Sequence, residues 1–110
     1  MIVRTWMAYA KPDKASSYRD YLNVSVLPKL QSIPGFLGLQ LCEAKQRGEQ
    51  GERVELLVIT RWESMDAVKA FAGAQPERAV VEPAARSMLE EYDEVAFHYT
   101  ATLEAGGKPA

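Results

Sequence analysis

Two aromatic side chains, Trp62 and Phe71, lie on either side of a predicted change from strand to helix. A strand of alternating residues ends at Trp62, and a helix over residues 64–73 follows at once, with Ser64 or Asp66 as its cap. Phe71 projects from that helix about two turns beyond Trp62. Two aromatic rings in one strand–helix corner can line a cavity for a flat aromatic ligand, or they can be ordinary core.

His98 is the only histidine of the chain. Imidazole is the side chain that titrates near neutral pH without a large shift of its pKa. As a general base it could take the proton of a phenol, and the resulting electron-rich anion could react directly with O₂. A single histidine on a strand can also be structural or exposed. His98 is therefore the candidate catalytic residue, with the structural role as the alternative.

Several side chains could share the space beside the strand–helix corner. Arg4 and Arg61 could stabilise a phenolate or an oxygen-derived anion, although surface salt bridges are an ordinary use of arginine. Besides Tyr9, the tyrosines that could supply a hydroxyl group to this space are Tyr18, Tyr21 and Tyr99. A buried tyrosine can also simply find one hydrogen-bond partner. Strand register decides which aromatics face the cavity, and the predicted substrate-binding residues are Trp62, Phe71, Trp6 and Tyr9.

The sequence predicts no metal site and no bound cofactor. Cys42 is the only cysteine, and with His98 it makes too few ligands for a zinc or iron–sulfur site within one chain. Cys42 lies in the middle of a predicted strand, where we expect a small buried hydrophobic residue. Gly35 and Gly38 belong to a turn and a strand with no following helix, so they do not form a phosphate-binding loop.

Composition indicates one ordinary globular domain. The chain has 110 residues, of which 47% are hydrophobic and 25% charged, and we expect one domain over 1–104 with a flexible tail over 105–110. A net charge of −2 argues against a nucleic-acid partner. The apolar runs fall short of the ~18 residues that a membrane span needs. The chain begins as a strand and not as a secretion signal, so the cytoplasm is the expected location.

The periodicity of the chain predicts the order β-α-β-β-α-β. The predicted strands cover residues 2–11, 36–45, 53–62 and 94–103, and the predicted helical regions cover 14–32, 64–73 and 76–91. A polar hairpin connection is expected over 46–52. Pro28 and Pro83 should each disturb the helix that contains them. This order predicts an α+β, ferredoxin-like fold, with a four-stranded antiparallel sheet and both helical regions on one face.

Such a fold leaves the second face of the sheet bare. Depending on register, this face would carry Trp6 or Met7, Leu39, Leu57 and Phe97. A monomer rarely exposes an apolar patch of that size. We therefore predict a homodimer in which two sheets pack face to face around a two-fold axis.

Four groups of residues, in their order and spacing along the chain, carry a resemblance to a known family. They are Arg4-Thr5-Trp6; Leu27-Pro28-x-Leu30 with Pro34-Gly35-Phe36; Trp62-Glu63-Ser64-x-x-Ala67-x-x-Ala70-Phe71; and Tyr92-Asp93-Glu94-x-x-x-His98-Tyr99. Together they resemble the antibiotic-biosynthesis-monooxygenase-like proteins of the dimeric α/β barrel superfamily. The resemblance implies a dimeric α/β barrel and matches Trp62 to the cavity tryptophan of the family. Some members oxidise polycyclic phenols to quinones with O₂ and no cofactor, others bind and degrade haem, and many have no known activity.

The resemblance leaves three functions to separate. The haem-degrading relatives supply an axial histidine from the second helical region, and residues 64–91 contain none, so only His98 could replace it. The favoured hypothesis is a cofactor-independent monooxygenase that acts on an aromatic or polyphenolic small molecule with O₂. The alternatives are a non-catalytic protein that binds a small apolar ligand or acts in a stress response and, less favoured, a haem-binding or haem-degrading protein.

Overall fold

A computed structural model describes residues 1–48 and 51–109 of the chain. Its strands are β1 (Ile2–Ala10), β2 (Phe36–Gly48), β3 (Gly51–Trp62), β4 (Glu91–Tyr92) and β5 (Phe97–Thr100). Its helices are α1 (Pro12–Tyr21), a π-helical segment (Leu22–Val26), α2 (Leu27–Gln31), α3 (Met65–Ala72) and α4 (Pro83–Arg86). None of the helices in this described part is both long and apolar enough to cross a membrane.

The sheet is antiparallel, with strand order β2-β3-β1 followed by β4 and β5, which both pair with the free edge of β1. Tyr92 of β4 lies opposite Ala8, and Phe97 of β5 lies opposite Thr5, so the two short strands together take the place of one fourth strand. The helices lie on one face. This arrangement confirms the predicted ferredoxin-like α+β fold.

The predicted single strand over 94–103 is wrong in its bounds, because the last strand is interrupted. Asp93 N still donates to Met7 O at 2.9 Å. Beyond it, Ala96 N donates to Glu77 O at 2.8 Å, and Glu94 O accepts from Ala79 N at 2.9 Å. The backbone of this stretch therefore pairs with residues 77–79 before the chain returns to β1.

The first helical region is longer than predicted and contains a π-helical turn. It covers 12–31 in place of 14–32, and Leu22–Val26 has the wider hydrogen-bond pattern of a π-helix. Pro28 follows within two residues; it has no backbone N–H, and its ring crowds the carbonyl group four residues earlier. The predicted disturbance at Pro28 takes the form of this π-helical turn.

The second helical region is shorter than predicted. Ser64 is the cap of α3, since its hydroxyl accepts a hydrogen bond from Ala67 N at 3.2 Å. The helix ends at Gly73, whose φ of 88° lies in the region that favours glycine. The predicted helix over 76–91 is wrong, because only Pro83–Arg86 is helical. Pairing of residues 77–79 with the last strand overrides the helical preference of the sequence there.

The hairpin between the second and third strands is tighter than predicted. Strands β2 and β3 run on to Gly48 and Gly51, where the predicted connection covered 46–52. Residues 49 and 50 of that connection lie outside the described residues.

The two faces of the sheet differ in what covers them. On the covered face, which meets the helices, β1 and β3 bury alternate residues that include Trp6, Ala8 and Leu56. On the open face, β1 and β3 present their other residues. Of the residues proposed for the bare face, Met7, Leu57 and Phe97 lie on the open face, whereas Trp6 and Leu39 lie on the covered face.

Cys42 also lies on the open face, where it is the strand partner of Leu57. It is exposed in the single chain. The expectation of a buried residue is therefore wrong, because none of the described residues covers Cys42 on that face of β2.

Candidate functional site

A cavity lies between the covered face of the sheet and the helices. Its volume is about 70 Å³, which is room for on the order of five water molecules. Aromatic and aliphatic side chains make up most of its wall, and a few polar groups interrupt them. The lining residues that matter below are Arg4, Trp6, Tyr18, Tyr21, Thr60 and Phe71.

Phe71 and Trp6 line the cavity from opposite structural layers. Phe71 projects from the last turn of α3, and Trp6 stands on the covered face of β1. The indole nitrogen of Trp6 donates to Asp93 O at 2.6 Å, which fixes the ring against the interrupted edge strand. Tyr18 lies beside Trp6, with ring centroids 6.5 Å apart. The structure therefore brings two of the four predicted binding residues together.

Trp62 lies behind this cavity wall and not in it. The residue is 0% exposed, and its ring packs between those of Phe36 and Phe71. Its ring centroid lies 5.2 Å from that of Phe36 and 5.9 Å from that of Phe71, which stacks on the indole. Its indole nitrogen donates to Thr60 Oγ1 at 2.9 Å. Trp62 thus holds two groups that do line the cavity, namely the Phe71 ring and the Thr60 hydroxyl.

Arg4 supplies positive charge inside the cavity. The residue is only 7% exposed, and its guanidinium lies 5.5 Å from the centre of the Phe71 ring. Nη2 donates to the carbonyl oxygens of Arg78 at 3.2 Å and Pro76 at 3.5 Å. Burial lowers the pKa of Arg4 to about 10, which leaves the group charged at neutral pH.

His98 lies next to Arg4 on the neighbouring strand, directly opposite it in the β1–β5 pairing. It is half-buried, and its Nε2 is buried with no hydrogen-bond partner among the described residues. Burial and then the Arg4 charge lower the pKa of His98, while Glu77 acts in the opposite direction. His98 is not part of the cavity wall. Its role as a base stays a prediction that requires proton transfer past Arg4.

Tyr9 lies on the other side of the sheet. Its ring is covered by the guanidinium of Arg53 at 3.9 Å. Arg61 also lies on the open face, where its guanidinium occupies the space that a Cβ on Gly38 would need. The structure therefore separates Tyr9 and Arg61 from the cavity in the single chain.

Polar residues stand at the mouth of the cavity. Lys29 Nζ on α2 pairs with Glu82 Oε1, just before α4, at 3.2 Å. Tyr21 lies beside this pair; burial and then the Glu82 carboxylate raise its pKa. Tyr18 is deeper, and burial followed by Tyr21 raises its pKa as well. Both tyrosines are therefore neutral hydroxyl groups at physiological pH.

Sequence reasoning missed the mouth residues and undervalued Arg4. Lys29 and Glu82 are 53 positions apart, and no local pattern joins them. The sequence leaves Arg4 open between anion stabilisation and a surface salt bridge, since both sets of alternate residues in β1 contain large apolar groups and either could be the covered set. One signal was available: Arg4 shares its alternation with the small residues Ala8 and Ala10, which fit closely under helices.

The chain matches a family model described as antibiotic biosynthesis monooxygenase over residues 1–83. No curated protein sequence matches it significantly.

Solved structures share the fold at low sequence identity. A Deinococcus radiodurans protein assigned to the antibiotic biosynthesis monooxygenases superposes with a TM-score of 0.64 at 15% identity, over 99% of this chain and 100% of that one. The Streptomyces coelicolor monooxygenase from the gene ActVA-Orf6, in complex with nanaomycin D, gives a TM-score of 0.56 at 19% identity, over 99% and 92%. The haem degrader MhuD of Mycobacterium tuberculosis, with two haems bound in its active site, superposes with a TM-score of 0.54 at 23% identity, over 96% of this chain and 100% of that one.

Proposed function

The chain belongs to the antibiotic biosynthesis monooxygenase family, and from that premise we propose that it is a monooxygenase which oxidises a small aromatic or polyphenolic molecule with O₂ and no bound cofactor. The observation that supports this most is the aromatic-lined cavity under the helices. A cavity with mostly apolar walls and a few convergent polar groups suits an aromatic ligand with one or more hydroxyl groups.

The proposed reaction converts a phenol and O₂ into a quinone and water. The phenol loses its proton, and the anion donates electrons to O₂. One oxygen atom becomes the new quinone carbonyl, and the other leaves as water together with two hydrogen atoms of the substrate. The substrate is the reductant, so the protein has to supply orientation, exclusion of water and stabilisation of negative charge.

We assign the predicted residues unequal roles in this reaction. Phe71 and Trp6 would contact the substrate, and Trp62 would support the wall behind Phe71. His98 remains the candidate proton acceptor, and its position beside Arg4 makes it dependent on that residue. Tyr9, on the open face, could reach a substrate only if another chain brought a cavity to it.

We also propose a homodimer formed through the open face. Phe97 and Tyr99 are 52% and 56% exposed there, beside Met7 and Leu57 of the same face. An exposed apolar surface of this kind on a sheet is typical of a protein–protein interface. A two-fold axis would bury the same residues on both copies.

The experiment is oxygen uptake by the purified protein with phenols of one, two and three rings, including dihydroxyanthracenes, without added flavin or metal. We expect uptake with at least one of them and incorporation of one atom of ¹⁸O₂ into the quinone. A cavity-filling variant, Val58→Trp, should abolish uptake, whereas Arg61→Gln on the open face should not change it. Absence of turnover across the whole panel would contradict the proposal.

One observation favours a second function, ligand binding without chemistry. The only histidine lies outside the cavity wall, the two tyrosines in that wall have raised pKa values, and the carboxylate of Glu82 at the mouth is paired with Lys29, so none of these groups is a free base beside the ligand. A non-catalytic protein would bind a small aromatic ligand tightly, and His98→Ala would leave that binding intact.

Haem binding is a less favoured candidate, because the cavity wall contains no histidine or cysteine to hold iron. A Soret shift on haem titration that disappears in His98→Ala would support it.

A further inference from the structure

Arg4 is a buried charge without a counter-ion. The acidic side chains that form salt bridges among the described residues pair with Arg19, Lys29, Arg47 and Arg53, and none pairs with Arg4. Two backbone carbonyl groups accept from its Nη2, while Nε is buried with no hydrogen-bond partner in the part of the chain that the structure describes. A buried, unpaired donor on a charged group is costly unless something satisfies it.

The charges around Arg4 do not supply that partner. Glu77 lies between the two residues whose carbonyl groups accept from Arg4, but it forms no salt bridge with Arg4 among the described residues. Lys29 and Glu82 at the cavity mouth neutralise each other. His98, opposite Arg4, has a lowered pKa and adds no negative charge. The cavity therefore has a positive charge that no described carboxylate compensates, in a mostly apolar wall, and this favours an occupant that is itself negative at that point.

Thr60 places a second donor beside Arg4. The two residues are direct partners in the β1–β3 pairing, and both line the cavity. Thr60 Oγ1 accepts the indole N–H of Trp62 at 2.9 Å. No side-chain hydrogen bond found among the described residues uses the hydroxyl proton of Thr60, so this hydroxyl has a proton to donate towards the cavity.

We propose that the Arg4 guanidinium and the Thr60 hydroxyl form an oxyanion site at the inner end of the cavity, and that the ligand is an aromatic ring with an ionised oxygen, such as a phenolate or a carboxylate. Trp62 is then a positioning residue, which orients Thr60 without touching the ligand. The inference rests on the proposed function only in using the same cavity, and it narrows the substrate class to aromatic molecules whose oxygen is ionised when bound.

The first test needs no variant. Isothermal titration calorimetry at pH 7.5 compares 2-naphthoate with 2-naphthamide, which have nearly the same shape and differ in charge. We expect the wild-type protein to bind the carboxylate about 10- to 100-fold more tightly, as hydrogen bonds to a charged group imply. Equal affinities, or no binding of 2-naphthoate, would overturn the proposal.

Variants then assign the preference to its donors. Arg4→Gln should remove the preference and leave 2-naphthamide binding near the wild-type value, while Arg61→Gln on the open face should keep the preference. Thr60→Val should reduce it, and Thr60→Ser, which keeps the hydroxyl, should restore it. A preference that persists in Arg4→Gln and in Thr60→Val would contradict the assignment.

Oxygen uptake is scored separately from these affinities. A carboxylate preference without turnover on any phenol would support the oxyanion site and argue against the monooxygenase. Turnover of a phenol without any carboxylate preference would support the monooxygenase and argue against the oxyanion site.

Discussion

Each face of the sheet places an arginine over an aromatic ring, and the two pairs have opposite surroundings. On the open face, Arg53 lies 3.9 Å from the centre of the Tyr9 ring and pairs with Glu91 at 3.1 Å. On the covered face, Arg4 lies 5.5 Å from the centre of the Phe71 ring and is paired with no carboxylate in the described part of the chain. The Arg53–Tyr9 contact, which is shorter and has a carboxylate partner, is thus the structural one. The buried arginine that lacks a counter-ion is the one available to a ligand.

The largest expected effect tests whether the covered face carries the stability of the fold. Trp62→Ala removes a fully buried indole from between two aromatic rings, and we expect the free energy of unfolding to fall by about 3–5 kcal/mol. Urea unfolding followed by far-UV circular dichroism measures this change. Val24→Ala, at a residue that is 71% exposed on the helical surface, is the control and should change it by less than about 0.5 kcal/mol. Similar losses for both variants would contradict the assignment of Trp62 to the core.

The next effect concerns the open face, through which we propose that two copies of the chain form a dimer. Phe97→Asp would place a carboxylate in the proposed interface, and we expect dimer dissociation to become about 100-fold easier or more, since an unpaired buried charge costs several kcal/mol. Sedimentation velocity over a range of concentrations measures it. Val24→Asp makes the same change of chemistry on the helical surface and should leave the dimer intact. A wild-type protein that sediments as a monomer at every concentration would contradict the proposed dimer.

A smaller effect comes from His98, beside Arg4. Because burial and Arg4 lower the pKa of His98, the folded protein binds its proton more weakly than the unfolded chain does, whose histidine pKa is about 6.5. The free energy of unfolding should therefore fall as the pH drops through that value towards the folded-state pKa. We expect His98→Gln to flatten this fall in urea titrations between about pH 8 and pH 5. Equal pH profiles would contradict the lowered pKa of His98 in the folded protein.

The smallest effect is expected at the open-face arginine. A double-mutant cycle of Arg53→Gln and Glu91→Gln should give a coupling free energy of about 0.2–1 kcal/mol, the usual range for a pair in contact with solvent. Thermal unfolding at low and high salt measures it, and high salt should weaken the coupling. A coupling well above that range would mean that the open face is more shielded than the single chain indicates.

The sequence predicted the fold better than the site. Alternation and element order were enough for the ferredoxin-like sheet, because these patterns report burial directly. They did not show which set of alternate residues in β1 meets the helices. For that reason the sequence leaves Arg4 open between a cavity role and a surface role, and it predicts Tyr9 in a cavity from which that residue faces away in the structure.

Two further differences arise from long-range contacts. The residues over 76–91 have helix-forming composition, but pairing of residues 77–79 with the last strand holds the backbone in another form. Trp62 was predicted as a cavity residue from its place at a strand end. Contacts with Phe36, from a strand 26 positions earlier, bury it instead.

The interrupted strand at one edge of the sheet affects the tendency of the protein to aggregate in concentrated solution. Arg78 bridges to Val95 on the outer side of that strand, so the backbone of residues 94–96 is already paired within the chain, and the strands left on that edge, β4 and β5, are only two and four residues long. The opposite edge, along β2, carries the exposed charges of Glu43, Lys45 and Arg47. Neither edge offers the long, uncharged ribbon from which amyloid-like stacking starts. Contacts between copies are therefore directed to the faces of the molecule, where they are limited in number, and away from the edges, where they could propagate without end.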